Sequence, residues 1–442
     1  MRNIARRRSG PVSRLTRSSR PAEPGRDDDS SGPALDALNG LSVGDALGAQ
    51  FFVPATAAAH FAARTVPPGP WPWTDDTEMA CSVYSVQVER GAVDTFDLTH
   101  SFARRHDFDR GYGPAANRLL RLVREGGDAR ALAAELFDGQ GSYGNGAAMR
   151  VAPLGALYYA DPTKAIRPAA ETALITHTHP QAVDGAIAVA VAAAFAVQVG
   201  RQTRMTPTTF LDRVRAHTPA GAVRDGLTEA IALLGEPDPA VAARVLGNGS
   251  RTSAADTVPY ALWCAARRLT DYPAAIWEAI GAGGDMDTVA AVTGGVVAAC
   301  TGSAGIPAAW LAAREPLPAW AFPEPESVPG GRGRAEMLVP RPQPVPDLRW
   351  SEEEWQRIRS GPQEIGPDRR WSVHTREGTV RVCRSERDPV WELTVVRGRD
   401  GWRPVSAVAE AVDGRWSLSN GGERDPALLV QVLRAAATGE RP

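Results

Sequence analysis

Gly283-Gly284-Asp285-Met286-Asp287-Thr288 runs straight into Val289-Ala290-Ala291-Val292-Thr293-Gly294-Gly295-Val296-Val297-Ala298-Ala299-Cys300. The second half is small-sided all round, so as a helix it must be packed on every face. The first half places two carboxylates at the mouth of that helix. Far upstream, Trp73-Thr74-Asp75-Asp76-Thr77 does the same ahead of a second helix-like stretch, Glu78 to Val88. Four carboxylates brought together repel one another unless cations lie between them. Two divalent ions would neutralise them, and all-oxygen donors suit hard ions, Mg²⁺ or Mn²⁺. The competing reading is that both clusters are helix N-caps, where Asp and Thr are favoured. Capping accounts for one or two oxygens in each cluster and leaves the doubling unexplained.

Outward from these clusters the chain reads as helices joined by Gly/Pro loops, with Ala, Leu and Val at helical spacing. Helices are expected over Pro114 to Glu125, Pro180 to Val199, Ala222 to Leu234 and Val258 to Arg268. The domain this predicts is all-α and spans 33–320. Residues 1–32 are rich in Arg, Ser, Pro, Gly and Asp and poor in large apolar side chains, which predicts disorder. A Pro/Gly-rich linker is expected over 321–347. A small α+β module should follow over 348–442. Ser351-Glu352-Glu353-Glu354 reads as the capped start of a short helix. Strand signals follow at 371–375, 379–383 and 390–396, with turns at Glu377-Gly378 and Arg399-Asp400-Gly401, and Asp425 to Ala437 closes as an amphipathic helix. The module carries no recognisable catalytic constellation.

Of 442 residues, 43% are hydrophobic and 23% charged, ordinary for a globular protein, and the net charge of −2 argues against a generic nucleic-acid surface. Cys81, Cys264, Cys300 and Cys383 are scattered without zinc spacing, which makes a reducing cytoplasm the expectation. No apolar run precedes Gly10, so the N-terminus does not read as a secretory signal. The apolar stretch Ala186 to Val199 is short for a span and reads as a buried helix, so no membrane association is expected. A monomer is the default.

Other segments carry candidate chemistry. Gly40, Gly44 and Gly48 recur every four residues and so share one helix face, for close packing or for room beside Asp45. Gly144-Asn145-Gly146-Ala147-Ala148-Met149-Arg150 is a glycine-rich turn ending in a cation. Amides at Gly144 and Gly146 could cradle a diphosphate, and Arg150 could pair with a phosphate or hold an Asp. His177 and His179 lack a third nitrogen or sulfur nearby for zinc. Asp107 to Gly113, with Asp109 and Tyr112, reads as a polar loop.

These motifs carry a resemblance. Gly44-Asp45-Ala46-Leu47-Gly48, Thr74-Asp75-Asp76-Thr77, Gly144 to Arg150, Ile175-Thr176-His177-Thr178-His179-Pro180 and Gly284-Asp285-Met286-Asp287-Thr288 occur in the order found in the ADP-ribosylglycohydrolase family, over roughly 34–315. The resemblance implies an all-α glycohydrolase fold and a binuclear Mg²⁺ or Mn²⁺ centre on Thr74, Asp75, Asp76, Asp285, Asp287 and Thr288. It implies that residues 144–150 hold ribose and pyrophosphate, that His177 and Tyr112 line the substrate, and that Asp76, Asp285 or Asp109 acts as general base. The implied reaction is hydrolysis of the glycosidic bond of an ADP-ribosylated protein or small-molecule conjugate. Two departures stand out: Phe52 replaces a Glu common in the family, and Met286 replaces a Thr. The missing Glu keeps open a catalytically impaired ADP-ribose-binding or toxin-neutralising module. The carboxylate cluster alone would also suit a metal-dependent phosphohydrolase.

Overall fold

The computed structural model describes residues 31–322, 340–359, 363–365, 371–376, 379–383, 389–398, 401–410 and 426–438. Sixteen α-helices fill the region from Ser31 to Ala313, as the all-α reading expects. Ser31 and Gly32 already belong to the first helix, Ser31–Ala49, so the helical unit begins earlier than the composition suggested. The disorder expected before them lies outside the described residues.

The glycine stripe packs this first helix against the Met286–Thr301 helix. A Cβ on Gly40 would overlap Ala298, and one on Gly44 would overlap the Ala290 carbonyl. One on Gly48 would come within 2.5 Å of the Met286 carbonyl. The pairings run in opposite directions along the two helices, so they are antiparallel and the end of Ser31–Ala49 meets the start of Met286–Thr301. Close packing is therefore what the stripe provides, and it is the reason Gly is tolerated there despite costing about 1 kcal/mol per helical position. Met286–Thr301 is buried on nearly every face, as its small side chains predicted.

Pro180–Gly200 runs through the core. At 21 residues it is longer than its apolar stretch suggested, and by length and composition it could cross a membrane. Its apolar window is 83% buried inside the protein, which marks it as a core helix.

A second hydrophobic core forms beyond residue 347 and shares no residue with the first. Its antiparallel sheet comprises β1 (Pro340–Pro342), β2 (Gln363–Ile365), β3 (Trp371–Arg376), β4 (Thr379–Cys383), β5 (Pro389–Gly398) and β6 (Gly401–Glu410), in the order β1-β6-β5-β4-β3-β2. Pro340–Pro342, read from sequence as linker, is an edge strand paired with β6. An edge tolerates proline because its outward side needs no ladder donor. β6 went unread as a strand. The Glu352–Arg359 helix has the expected capping box: Ser351 N–H donates to Glu354 Oε2 at 2.7 Å, and Glu354 N–H to Ser351 Oγ at 3.2 Å. Trp355 stacks between Trp350 and Trp402. Pro426–Thr438 forms the closing helix. The turns expected at 377–378 and 399–400 lie outside the described residues.

Candidate active site

The antiparallel seam carries the start of Met286–Thr301 to the start of Asp75–Arg90, and the two carboxylate clusters meet there. Thr288 Oγ1 donates to Asp76 Oδ2 at 3.3 Å, and Thr74 Oγ1 lies 3.3 Å from the same oxygen. Asp75 and Asp76 are the first residues of one helix; Asp285 precedes the other and Asp287 lies in its first turn. Both clusters thus sit at helix starts.

Asp45 organises one half of this junction from the first helix. Fully buried, it accepts from Thr74 N–H (3.0 Å), Thr74 Oγ1 (2.8 Å), Thr77 N–H (3.2 Å) and Thr77 Oγ1 (2.5 Å). Burial pushes its carboxyl up to about 6 against these hydrogen bonds. Thr74 also caps the helix by accepting from Asp76 N–H at 3.4 Å. At the other helix Asp285 makes no side-chain cap bond; instead Asn145 Nδ2 donates to its Oδ2 at 2.7 Å. Capping therefore explains Thr74 and leaves Asp285 unexplained.

The electrostatics of the junction are strained. Burial, then the Asp45 charge, push Asp75 up to about 8. Asp76 rises well above the carboxylate range through burial and the charges of Asp45, Asp287, Asp75 and Asp285, and Asp287 through burial, Asp285 and Asp45. Asp76 Oδ1 is buried with no hydrogen-bond partner among the described residues. Among those residues no three His, Cys, Asp or Glu side chains converge tightly enough to hold an ion as they stand. The donors are nonetheless all oxygen, crowd one another's charge, and include a buried oxygen left unused. That set fits hard divalent cations.

Three loops ring the junction. Gly144–Arg150 is tied to residues 247–253: Asn145 N–H donates to the Thr252 carbonyl at 2.9 Å, and Gly144 bridges to Ser253. Gly249 packs so closely on Asp285 that a Cβ would overlap it, and Asp285 N–H donates to the Asn248 carbonyl at 3.0 Å. The third loop, 107–113, is pinned by Glu78, whose Oε2 accepts from Tyr112 OH at 2.7 Å and Asp107 N–H at 3.1 Å. Arg110 lies over Trp73 and bonds both oxygens of Glu315 at 2.8 Å. Glu315 N–H in turn bonds the Trp71 carbonyl at 2.8 Å, so the end of the helical unit braces the segment that carries Thr74.

The ADP-ribosylglycohydrolase family model matches residues 27–327. The chain belongs to that family. An ADP-ribosylglycohydrolase hydrolyses linkages to ADP-ribose, so the chain is an enzyme of this class. ADP-ribosylhydrolase ARH3 of Bos taurus is 31% identical over 272 residues, covering 54% of this chain and 73% of that protein. ADP-ribosyl-[dinitrogen reductase] glycohydrolase of Rhodospirillum rubrum is 32% identical over 159 residues, 33% of this chain and 52% of that one. A solved structure titled ADP-ribosylglycohydrolase-related protein complex covers 66% of this chain and 95% of its own, with 26% identity and a TM-score of 0.48.

Within this glycohydrolase the fold assembles some of the residues that the sequence nominated and sets others aside. Thr74, Asp76 and Thr288 are joined by hydrogen bonds, Asn145 holds Asp285, and Asp75 and Asp287 lie close enough for their charges to act on the same group. Arg150 does not reach a phosphate position: it is fully buried and donates to the Thr172 carbonyl and Thr176 Oγ1. Ala147, Ala148 and Met149 are buried too, because the chain after Gly146 turns into the core. Gly144 N–H, offered to a diphosphate, donates to Ser142 Oγ at 3.2 Å. Tyr112 is buried with its hydroxyl on Glu78, so it holds a loop in place. Asp109 is exposed, its N–H on Asp107 Oδ1, and it is Gly111 that borders Asp75. His177 is brought in: its ring edge lies against Gly144 and Gly146. His179 caps the Pro180–Gly200 helix, accepting from Gln181 N–H at 3.1 Å.

Sequence reasoning missed the 247–253 loop, Glu78 and an aromatic pair. Phe137 and Tyr143, both exposed, lie 5.8 Å apart beside the glycine loop. They offer flat faces for a base to stack on. Phe137 holds φ +53°, rare for an aromatic residue and invisible in sequence. Phe52 is exposed; its neighbour Phe51 takes the core position against Phe61 and Trp277.

Proposed function

We propose that this glycohydrolase cleaves the bond between ADP-ribose and a protein side chain or another acceptor with the help of two Mg²⁺ or Mn²⁺ ions. Thr74, Asp75, Asp76, Asp285, Asp287 and Thr288 would hold them. The observation that carries this reading is the meeting of the two helix starts at Asp76 and Thr288, with Asp76 Oδ1 buried and unused among the described residues. Such ions would orient the ribose hydroxyls and offset charge as the bond breaks.

The chain's own residues supply the rest. Asp285 is partly exposed and fixed through Oδ2 by Asn145, and it would take the proton from the attacking water. Asp76 is too enclosed for that task and serves the cations. Asp109, on the exposed tip, is removed from the base role. Phe137 and Tyr143 would stack on the base of the ADP-ribosyl group, and His177 would meet it beneath the glycine loop.

The test is incubation with peptides ADP-ribosylated on different side chains and with small ADP-ribose conjugates, with Mg²⁺, Mn²⁺ or chelator, followed by mass detection. Release of intact ADP-ribose only with a divalent cation is expected. Full activity in chelator would remove the cations, and release of phosphate would point to a phosphohydrolase. Tight binding without turnover, restored by Phe52→Glu, would make the chain a recognition module.

A further inference from the structure

Arg150 has lost all contact with solvent, and among the described residues its hydrogen bonds go to no carboxylate, although the Asp75 charge still favours its cationic form. Its Nη2 donates to the Thr172 carbonyl at 2.7 Å and to Thr176 Oγ1 at 2.9 Å. Nη1 lies 3.4 Å from Met79 Sδ, and the guanidinium sits 4.5 Å over the Phe102 ring. Nε has no partner among the described residues. Burial lowers the group to about 9, which leaves it cationic at neutral pH. A fully buried charge is costly, so its hydrogen bonds point to what it does.

Those contacts lead to His177. Thr176 Oγ1 lies 2.7 Å from His177 Nδ1. A guanidinium can only donate, so Thr176 is the acceptor from Arg150. The hydroxyl hydrogen of Thr176 then has Nδ1 as its recorded acceptor among the described residues. With Nδ1 accepting, the ring proton sits on Nε2, an assignment from the hydrogen-bond network. That edge faces the glycine loop: a Cβ on Gly146 would stand 2.9 Å from Cε1 and 3.1 Å from Nε2, and one on Gly144 3.3 Å from Nε2. Burial and the nearby Arg150 charge push His177 down to about 3, so the imidazolium does not form near neutral pH.

We propose that Arg150 and Thr176 lock His177 as a neutral imidazole whose Nε2–H points under the Gly144–Gly146 loop, making His177 a fixed hydrogen-bond donor to the substrate and not a general base. Arg150 and Thr176 are positioning residues; neither touches substrate. Only the identity of the acceptor, an oxygen of the ADP-ribosyl group, rests on the function proposed above.

The decisive measurement is a two-dimensional ¹⁵N–¹H spectrum of the full chain labelled at histidine, with the His177 signals identified by their loss in His177→Ala. The expected wild-type pattern is the neutral Nε2–H tautomer, unchanged from pH 6 to 8. An Nδ1–H tautomer or an imidazolium overturns the proposal whether or not the protein turns over substrate. Thr176→Val removes the hydroxyl link with little change of volume, and should mix the tautomers; it also strands one buried Arg150 N–H, so a fall in melting temperature accompanies it. On a cleavable ADP-ribosyl peptide it should raise KM about tenfold, the worth of one hydrogen bond, with kcat changed much less. Arg150→Lys, which keeps charge but loses the fork, should act in the same direction. In a His177→Ala background neither substitution should cost anything further in KM; an equal additional loss would mean that the two residues only support the fold. Failure of every form to release ADP-ribose would count against the proposed function and leave the tautomer to decide this inference.

Discussion

The two helix starts that meet at the site look alike in sequence and differ in their bonding. At Asp75–Arg90 the residues flanking the carboxylates are tied down: Thr74 caps the helix, and Asp45 collects four donors from Thr74 and Thr77, while Asp76 Oδ1 is left unused among the described residues. At Met286–Thr301 the end is open: Asp285 makes no side-chain cap bond and is held instead from outside the helix, by Asn145. One end is built to hold position and the other to face substrate. Substitutions at the tied-down end should therefore be read mainly in stability, and those at the open end mainly in turnover.

The largest effect should come from the open end. Asp287→Ala or Asp285→Ala is expected to reduce turnover by about a thousandfold or more, the scale of losing a charge that holds a catalytic cation. Melting temperature should stay level or rise, since each substitution removes one of several crowded carboxylates. Initial rates and thermal melts of the same samples check both halves; a large fall in melting temperature would erase the contrast.

At the tied-down end, Asp45→Ala strands two backbone amides and two hydroxyls, and should cost about 3 kcal/mol of stability, the top of the range for one buried unsatisfied group. Denaturant unfolding measures it. Gly44→Ala drives a methyl into the Ala290 carbonyl at the seam that aligns the two ends, and should cost about 1–3 kcal/mol, the range for overpacking. A neutral result there would mean that the helices part easily and that the seam does not set the site.

A smaller effect sharpens the electrostatic side. Asp75 is raised in the folded state, to about 8, from 3.8 when unfolded. A raised carboxyl adds stability that is complete below its unfolded value and is lost as pH rises through its folded value. The cation-free protein should therefore lose stability between about pH 4 and 8, and Mg²⁺ or Mn²⁺ should flatten that slope by binding the ionised form. Melts across this range, in chelator and in divalent cation, provide the check; identical slopes would argue against cation binding at the cluster. The smallest effect is expected from a chain ending at Phe322. It keeps the Arg110–Glu315 brace and lacks the second core, so cleavage of a small ADP-ribose conjugate should remain within a few-fold of the full chain.

Most of the helical fold was legible because helix burial leaves a local record. The spacing of small and apolar residues places Pro180–Gly200 and Met286–Thr301, and small side chains from Val289 to Cys300 announce packing on every side. The two acidic helix starts were legible too, because Asp and Thr ahead of a small-sided stretch mark where a helix begins. Less legible was anything that depends on direction. Arg150 reads as a phosphate ligand, since a cation ending a glycine turn gives no hint that the chain then dives into the core. β1 reads as linker, because Pro340 and Pro342 carry no strand signal until β6 lies beside them.

By itself, then, the sequence determined the helical class, the two acidic helix starts and the glycines that let helices approach. Tertiary structure alone decided that the two starts face each other, that Asp45 secures one of them, that Asn248 and Gly249 support the other, and that Arg150 turns inward to Thr176 and His177. Residue type and spacing are set by local geometry and burial, which a linear pattern records. Which oxygen meets which hydrogen across hundreds of residues depends on helix direction and close approach, which exist only once the chain has packed.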